Sequence, residues 1–190
     1  MALRRILDAA SEPVSVSEVR AHLRIVSTAE DAQLEAFITA ARMQCENELG
    51  RSLITQTWQK TIDYFPPEIE LSYPPVIAVS EVQYLDDAGV ATVLAPASYA
   101  LDNASEPGWL VPAYSYDWPT TQDAMNAVSI TYTAGYGGAD DVPLGIKQWI
   151  MMAVGSMYEN RESSAQGAAA TQMLPFVAGL LDPFRVVRYG

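Results

Sequence analysis

Few residues in this chain are of types that do chemistry, and their spacing assembles no reaction centre. His22, the one histidine, stands beside Leu23 near the end of a short helical pattern. A general base needs a positioned partner, and the pattern supplies none. Cys45, the one cysteine, falls on an apolar helical stripe, where a buried and inert thiol is expected. No Cys/His set has zinc spacing. Gly135-Tyr136-Gly137-Gly138 lacks the Gly-Lys-Ser/Thr of a phosphate loop and reads as a turn. Asp86-Asp87 and Asp140-Asp141 are oxygen-rich pairs of the kind a hard cation needs. Each pair also lies at a turn or a helix start, where aspartate is expected without a metal. Trp109, Tyr114, Tyr116 and Trp118 could stack on sugars or bases, or pack a small core or a subunit interface. The expectation is therefore no catalytic residue, no cofactor and no metal.

Charge narrows the partners. With 23 acidic against 11 basic residues the net charge is −12. Such a surface does not grip phosphate backbones, which takes clustered lysine and arginine. Apolar residues make up 49%, enough for a proper core. No apolar run reaches the roughly 18 residues of a membrane span, and Asp8 interrupts the apolar start that a secretory signal needs. A single cysteine permits no internal disulfide and suits a reducing compartment.

The elements that would position these residues are legible as periods. From Pro143 to Arg161, Ile146, Trp149, Ile150, Ala153, Val154, Met157 and Tyr158 recur at helical spacing and make one wide stripe. Ser15-Val16-Ser17-Glu18 is a capping box opening a short helix over 16–23. Ser27 to Glu30 repeats that pattern before a second stripe, Leu34, Phe37, Ile38, Ala41, Cys45 and Leu49, which Gly50 ends. From Arg51 to Tyr136 the period becomes two. Ile54, Trp58, Ile62 and Tyr64 share one strand face, and Ile69, Leu71 and Tyr73 another. Residues 79–85 and 90–94 flank the turn Asp86-Asp87-Ala88-Gly89 as a hairpin. Short strands are expected over 99–101 and 109–111, and a clean one carries Val128, Ile130 and Tyr132. Residues 1–13 read as an arm, 163–170 as a flexible linker.

The fold class that follows is α+β: a small helical bundle with a large antiparallel β insertion between two long helices, then an extended C-terminal tail. The domains are residues 1–50 and 139–162 as helical core, 51–138 as β-rich insertion, and 163–190 as linker and tail. Leu34, Phe37, Ile38, Trp149, Ile150 and Met157 are the expected subunit core. The tail exposes too much apolar surface to leave in water and should dock on something. It offers Leu174, Phe176, Leu180, Leu181, Phe184, Val186, Val187 and Tyr189, with Arg185 and Arg188 between them.

An ordered series of segments is familiar. Ile54-Thr55-Gln56-Thr57-Trp58 follows Gly50-Arg51. Later come Ser105-Glu106-Pro107-Gly108-Trp109-Leu110-Val111-Pro112-Ala113-Tyr114 and Trp118-Pro119. Val128 to Gly137 and Asp141 to Gln148 follow. Tyr158-Glu159-Asn160-Arg161-Glu162 closes the helix, and Leu181-Asp182-Pro183-Phe184-Arg185 lies near the end. In this order the chain resembles, from about Pro13 onward, the head–tail connector (adaptor, or head-completion) proteins of tailed bacteriophages and gene transfer agents. The resemblance implies a non-enzymatic virion protein, made in the host bacterial cytoplasm and placed in the virion neck at the capsid–tail junction. It implies a homo-oligomeric ring of twelve copies below the portal protein, extending the DNA channel and carrying a stopper or tail-completion protein. DNA would pass without specific binding, and no membrane would be involved. The ten tail residues named above become the portal-binding element, loosely held in the free protein; the alternative is a tail that folds back on its own subunit. The competing expectations are a carbohydrate- or ligand-binding module built on the aromatics, and an acidic metal-dependent hydrolase.

Overall fold

A computed structural model describes residues 1–159 and 179–186. Among the described residues eight strands and three α-helices run in the order β1 (Ala2–Leu7), α1 (Val16–Leu23), α2 (Asp31–Leu49), β2 (Gln56–Ile62), β3 (Ile69–Leu71), β4 (Val76–Leu85), β5 (Ala91–Val93), β6 (Tyr99–Asp102), β7 (Gly108–Pro112), β8 (Val128–Ala134) and α3 (Leu144–Glu159). The class is mixed α+β with antiparallel sheets. The chain divides into two compact units. One comprises Met1–Ala10 and Thr55–Tyr136, with Val186; the other comprises Ser11–Ile54 and the described part of Gly137–Arg185.

In the β unit a five-stranded sheet has the order β1-β2-β8-β4-β5, and a three-stranded sheet the order β3-β7-β6. All pairings are antiparallel. Alternation along β2 and β8 places Trp58, Ile62, Val128, Ile130 and Tyr132 inward, and these join Ile69, Leu71, Val82 and Leu110 in one core. Trp58 stacks on Tyr73 at 4.3 Å between ring centroids. The opposite face of β2 and β8 is all hydroxyl and amide: Thr57, Gln59, Thr61, Ser129, Thr131 and Thr133, each partly exposed.

Residues 1–13, expected as an arm, contain a true strand. β1 pairs with β2 from Ala2 opposite Thr61 to Leu7 opposite Thr57. The alternation explains it: Leu3 and Arg5 lie opposite the inward residues Lys60 and Trp58, and the Arg5 guanidinium stands 5.8 Å from the Trp58 ring centre. Tyr64 also departs from expectation. β2 ends at Ile62, and Tyr64 is exposed beyond it.

In the helical unit α1 carries the expected capping box. Ser15 Oγ accepts from Glu18 N–H, and the Glu18 carboxylate accepts from Ser15 N–H at 2.7 Å. The second such pattern does not form. α2 begins at Asp31 with Glu30 as an N-cap that makes no side-chain cap; the Glu30 carboxylate instead accepts from Tyr158 Oη at 2.5 Å. α2 packs along α3 and α1 touches both. Leu34, Ile38, Ala41, Cys45 and Leu49 are buried from α2, and Ile146, Trp149, Ile150, Ala153 and Val154 from α3. Phe37 and Met157 are half-buried flanks of these stripes. Gly137, at φ +132, lies ahead of α3; a Cβ there would collide with the Asp141 carboxylate. That carboxylate accepts from Gly138 N–H at 2.8 Å and so stops the chain's turn from unwinding. No helix of the described residues is long and apolar enough to cross a membrane.

Candidate assembly surfaces

The residues with chemical potential are dispersed, and several of them serve local structure. His22 is exposed near the end of α1. Cys45 is buried, and burial, reinforced by Glu48 and Glu46, pushes its thiol up. Asp86 accepts from Ala88 and Val90 N–H groups of its own turn, and Asp87 from Thr120 Oγ1. Among the described residues no group of three or more His, Cys, Asp or Glu side chains could hold a metal ion. The Trp118 ring stacks on Phe65 at 4.7 Å, and its indole N–H reaches the Pro67 carbonyl. Trp109 is half-buried in β7, while Tyr114 and Tyr116 stand exposed in the following loop. What the molecule offers is surface and anchors.

The largest anchor is one that sequence reasoning missed. Arg42, buried on α2, donates to Glu12 at 2.8 Å and to Glu46 at 3.0 Å. Glu46 in turn accepts from Leu53 N–H, and Glu12 from Thr39 Oγ1. The network ties the segment before α1 and the exit from α2 to one helix. Its signal was available: Arg42 and Glu46 are four apart on the flank of the apolar stripe, where two long charged residues must satisfy each other.

The C-terminal segment corrects an expectation. Its described part is not loose. Leu181 is fully buried, and Asp182–Phe184 form a single 3-10 turn. The Phe184 ring lies so near Gly145 that a Cβ there would be 3.2 Å from it. Arg51 donates to the Phe184 carbonyl, and Arg185 pairs with Glu48 at 2.5 Å and Asp182 at 3.2 Å. Apolar burial and a two-carboxylate clamp together explain why this stretch folds back on its own helices. Leu180 and Val186 are half-buried. Leu174, Phe176, Val187, Arg188 and Tyr189 lie outside the described residues.

Residues 12–173 match the head completion protein family. The chain belongs to that family. This head completion protein is also similar, along its whole length, to solved structures. One is a chain in the neck of an empty GTA particle determined with C6 symmetry: TM-score 0.81, 26% identity, covering 100% of this chain and 97% of that one. Another, in the virion of a native gene transfer agent (GTA) particle, gives 0.80 and 27% with the same coverage. A third, in the neck of a native GTA particle determined with C12 symmetry, gives 0.77 and 26%, again covering 100% and 97%. No curated protein matches the chain in sequence.

Proposed function

We propose that this head completion protein is a structural subunit of a virion neck. Copies form a ring of twelve below the portal, extend the DNA channel, and join the capsid to a stopper or tail-completion protein. It performs no reaction. The observation that carries this reading is the likeness to a GTA neck chain over 100% of this chain and 97% of that one. The dispersed chemistry agrees with it.

The finer architecture is read in the same light. The part of the β unit that lies between α2 and α3 in the chain, Thr55–Tyr136, is an insertion into a helical bundle whose core is Leu34, Ile38, Trp149 and Ile150, with Phe37 and Met157 on its flanks. The tail meets the portal in two parts. Leu181, Phe184 and Arg185, with Leu180, anchor it to its own subunit; Leu174, Phe176, Val186, Val187, Arg188 and Tyr189 reach the portal. Val186-Val187 is suited to adding to a sheet edge there. The surface along the DNA is neutral or acidic, so the duplex slides without adhesion.

The test is the mass of the purified full-length chain with and without a portal protein. Ring-sized or portal-bound species are expected. A chain that stays strictly monomeric and ignores the portal would overturn the reading. Truncation after Arg185, which keeps the segment docked on its own subunit, should leave a soluble subunit that attaches less well to portal-bearing heads, and full attachment of the truncated chain would remove Val186, Val187, Arg188 and Tyr189 from the interface.

A further inference from the structure

The two edges of the five-stranded sheet are matched to each other. Register across the sheet sets Arg4 opposite Gln59, Gln59 opposite Thr131, and Thr131 opposite Glu81. One row on the hydroxyl-and-amide face thus begins in an exposed cation on β1 and ends in an exposed anion on β4. Arg4 donates to Gln59 Oε1 at 2.8 Å and has no carboxylate partner among the described residues. A second row runs from Leu7 through Thr57 and Thr133 to Ala78. It is apolar at both ends: Ile6 and Leu7 are 47% and 65% exposed on β1, and Ile77, beside Ala78, is 45% exposed on β4.

Both edges are open among the described residues. β1 pairs only with β2, and β5 covers β4 only at Gln83–Leu85, leaving Val76 to Glu81 uncovered. Strand direction adds a condition. β1, β2, β8 and β4 alternate, so β1 and β4 run oppositely. Rotation about an axis along the strands keeps each copy's direction and each row's level. A neighbour's β1 then arrives antiparallel to β4, with its Arg4 level with Glu81 and its Leu7 level with Ala78.

We propose that the occupant of the β4 edge is the β1 edge of a second copy of this chain. Arg4 of one copy pairs with Glu81 of the next, and Ile6 and Leu7 pack on Ile77 and Ala78. The contact is heterologous, the kind that closes into a ring, whereas a twofold β1–β1 pairing would bring the arginine-bearing edges together. It is carried by side chains. β4 shifts register between Val76 and Ala78 and again between Val79 and Glu81, and such bulges spoil a continuous backbone ladder. The inference rests on the ring reading above.

The experiment uses the full-length chain with the portal protein. Arg4→Cys combined with Glu81→Cys, treated with a short thiol–thiol cross-linker, should give a denaturant-resistant ladder of dimers, trimers and larger species. Neither single variant should give it. Separately, Arg4→Glu or Glu81→Lys should weaken association roughly fivefold, the scale of an exposed ion pair, and the two reversals combined should recover it. Assemblies that form without a ladder, or a combined variant no better than either single one, would overturn the edge contact and leave the ring standing. Failure of the parent chain to assemble at all would overturn both.

Discussion

Arg42 shows how much one side chain holds. Its side chain is 2% exposed and its guanidinium is bonded to two carboxylates, one of them nearly as buried. Removing it strips the buried Glu46 carboxylate of a charged, hydrogen-bonded neighbour, which costs about 3–5 kcal/mol. Arg42→Ala should therefore lower the thermal midpoint sharply. Glu12→Ala, at the more exposed end of the network, should cost about 1 kcal/mol. Equal effects from the two substitutions would show that burial is not what sets the cost. Cys45 supplies a second test at this scale. Because burial disfavours its thiolate, the thiol should resist alkylation in the native protein at pH 8 and react only on unfolding. Rapid modification of the folded chain would contradict the packing of α2.

Helices take their stability here from tertiary cover and their boundaries from local bonds. Trp149 is 1% exposed in the face α3 turns to its unit's core. Trp149→Ala should cost roughly 3–5 kcal/mol, read by denaturant melting; a variant that melts like the parent would count against the burial. α1 depends on its capping box. Hydrogen bonds from the Ser15 side chain and backbone hold the Glu18 carboxyl below the usual carboxylate range. A folded value below the unfolded one means that Glu18 stabilises above the unfolded carboxylate's range. That increment disappears as pH falls through the folded value. Glu18→Gln should flatten this part of the acid limb of stability, and an unchanged limb would place the acid sensitivity elsewhere. The docked segment around Leu181 is an element too, and Leu181→Ala should cost about 2–5 kcal/mol if that docking holds the fold.

At the scale of the whole chain, charge is arranged as much as counted. From Thr61 to Ile146 every charged side chain is a carboxylate, while Lys60, the cation preceding this stretch, is buried and donates to the Glu70 carbonyl. A surface of this kind releases no phosphate counterions. The full-length protein should not retain duplex DNA at about 50 mM salt in a filter assay, where phosphate binders are strongest. Retention that falls steeply with added salt would overturn the proposal of a non-adhesive channel. Reversing several β-unit carboxylates to lysine should produce such retention and slow DNA exit from particles.

Periodicity by itself determined the α+β class, the three helices, the strand-rich middle and the turn at Asp86, because side chains on a repeating backbone must alternate between core and water. The stripes of α2 and α3 and the alternation in β2 and β8 are of this kind. Ordered short segments likewise pointed to the head completion family. Other features required neighbours far away in sequence. Ala2–Leu7 is too short to declare itself until β2 supplies a partner fifty residues on. The Ser27 cap was lost to a bond between Glu30 and Tyr158, a choice that local chemistry does not contain. Leu181 is apolar in any reading, but whether it seeks another protein or its own helices was decided by a glycine at position 145 and a carboxylate at position 48. The row from Arg4 to Glu81 exists only through the register of four strands, since residues distant in sequence share a level only when hydrogen bonding sets them side by side.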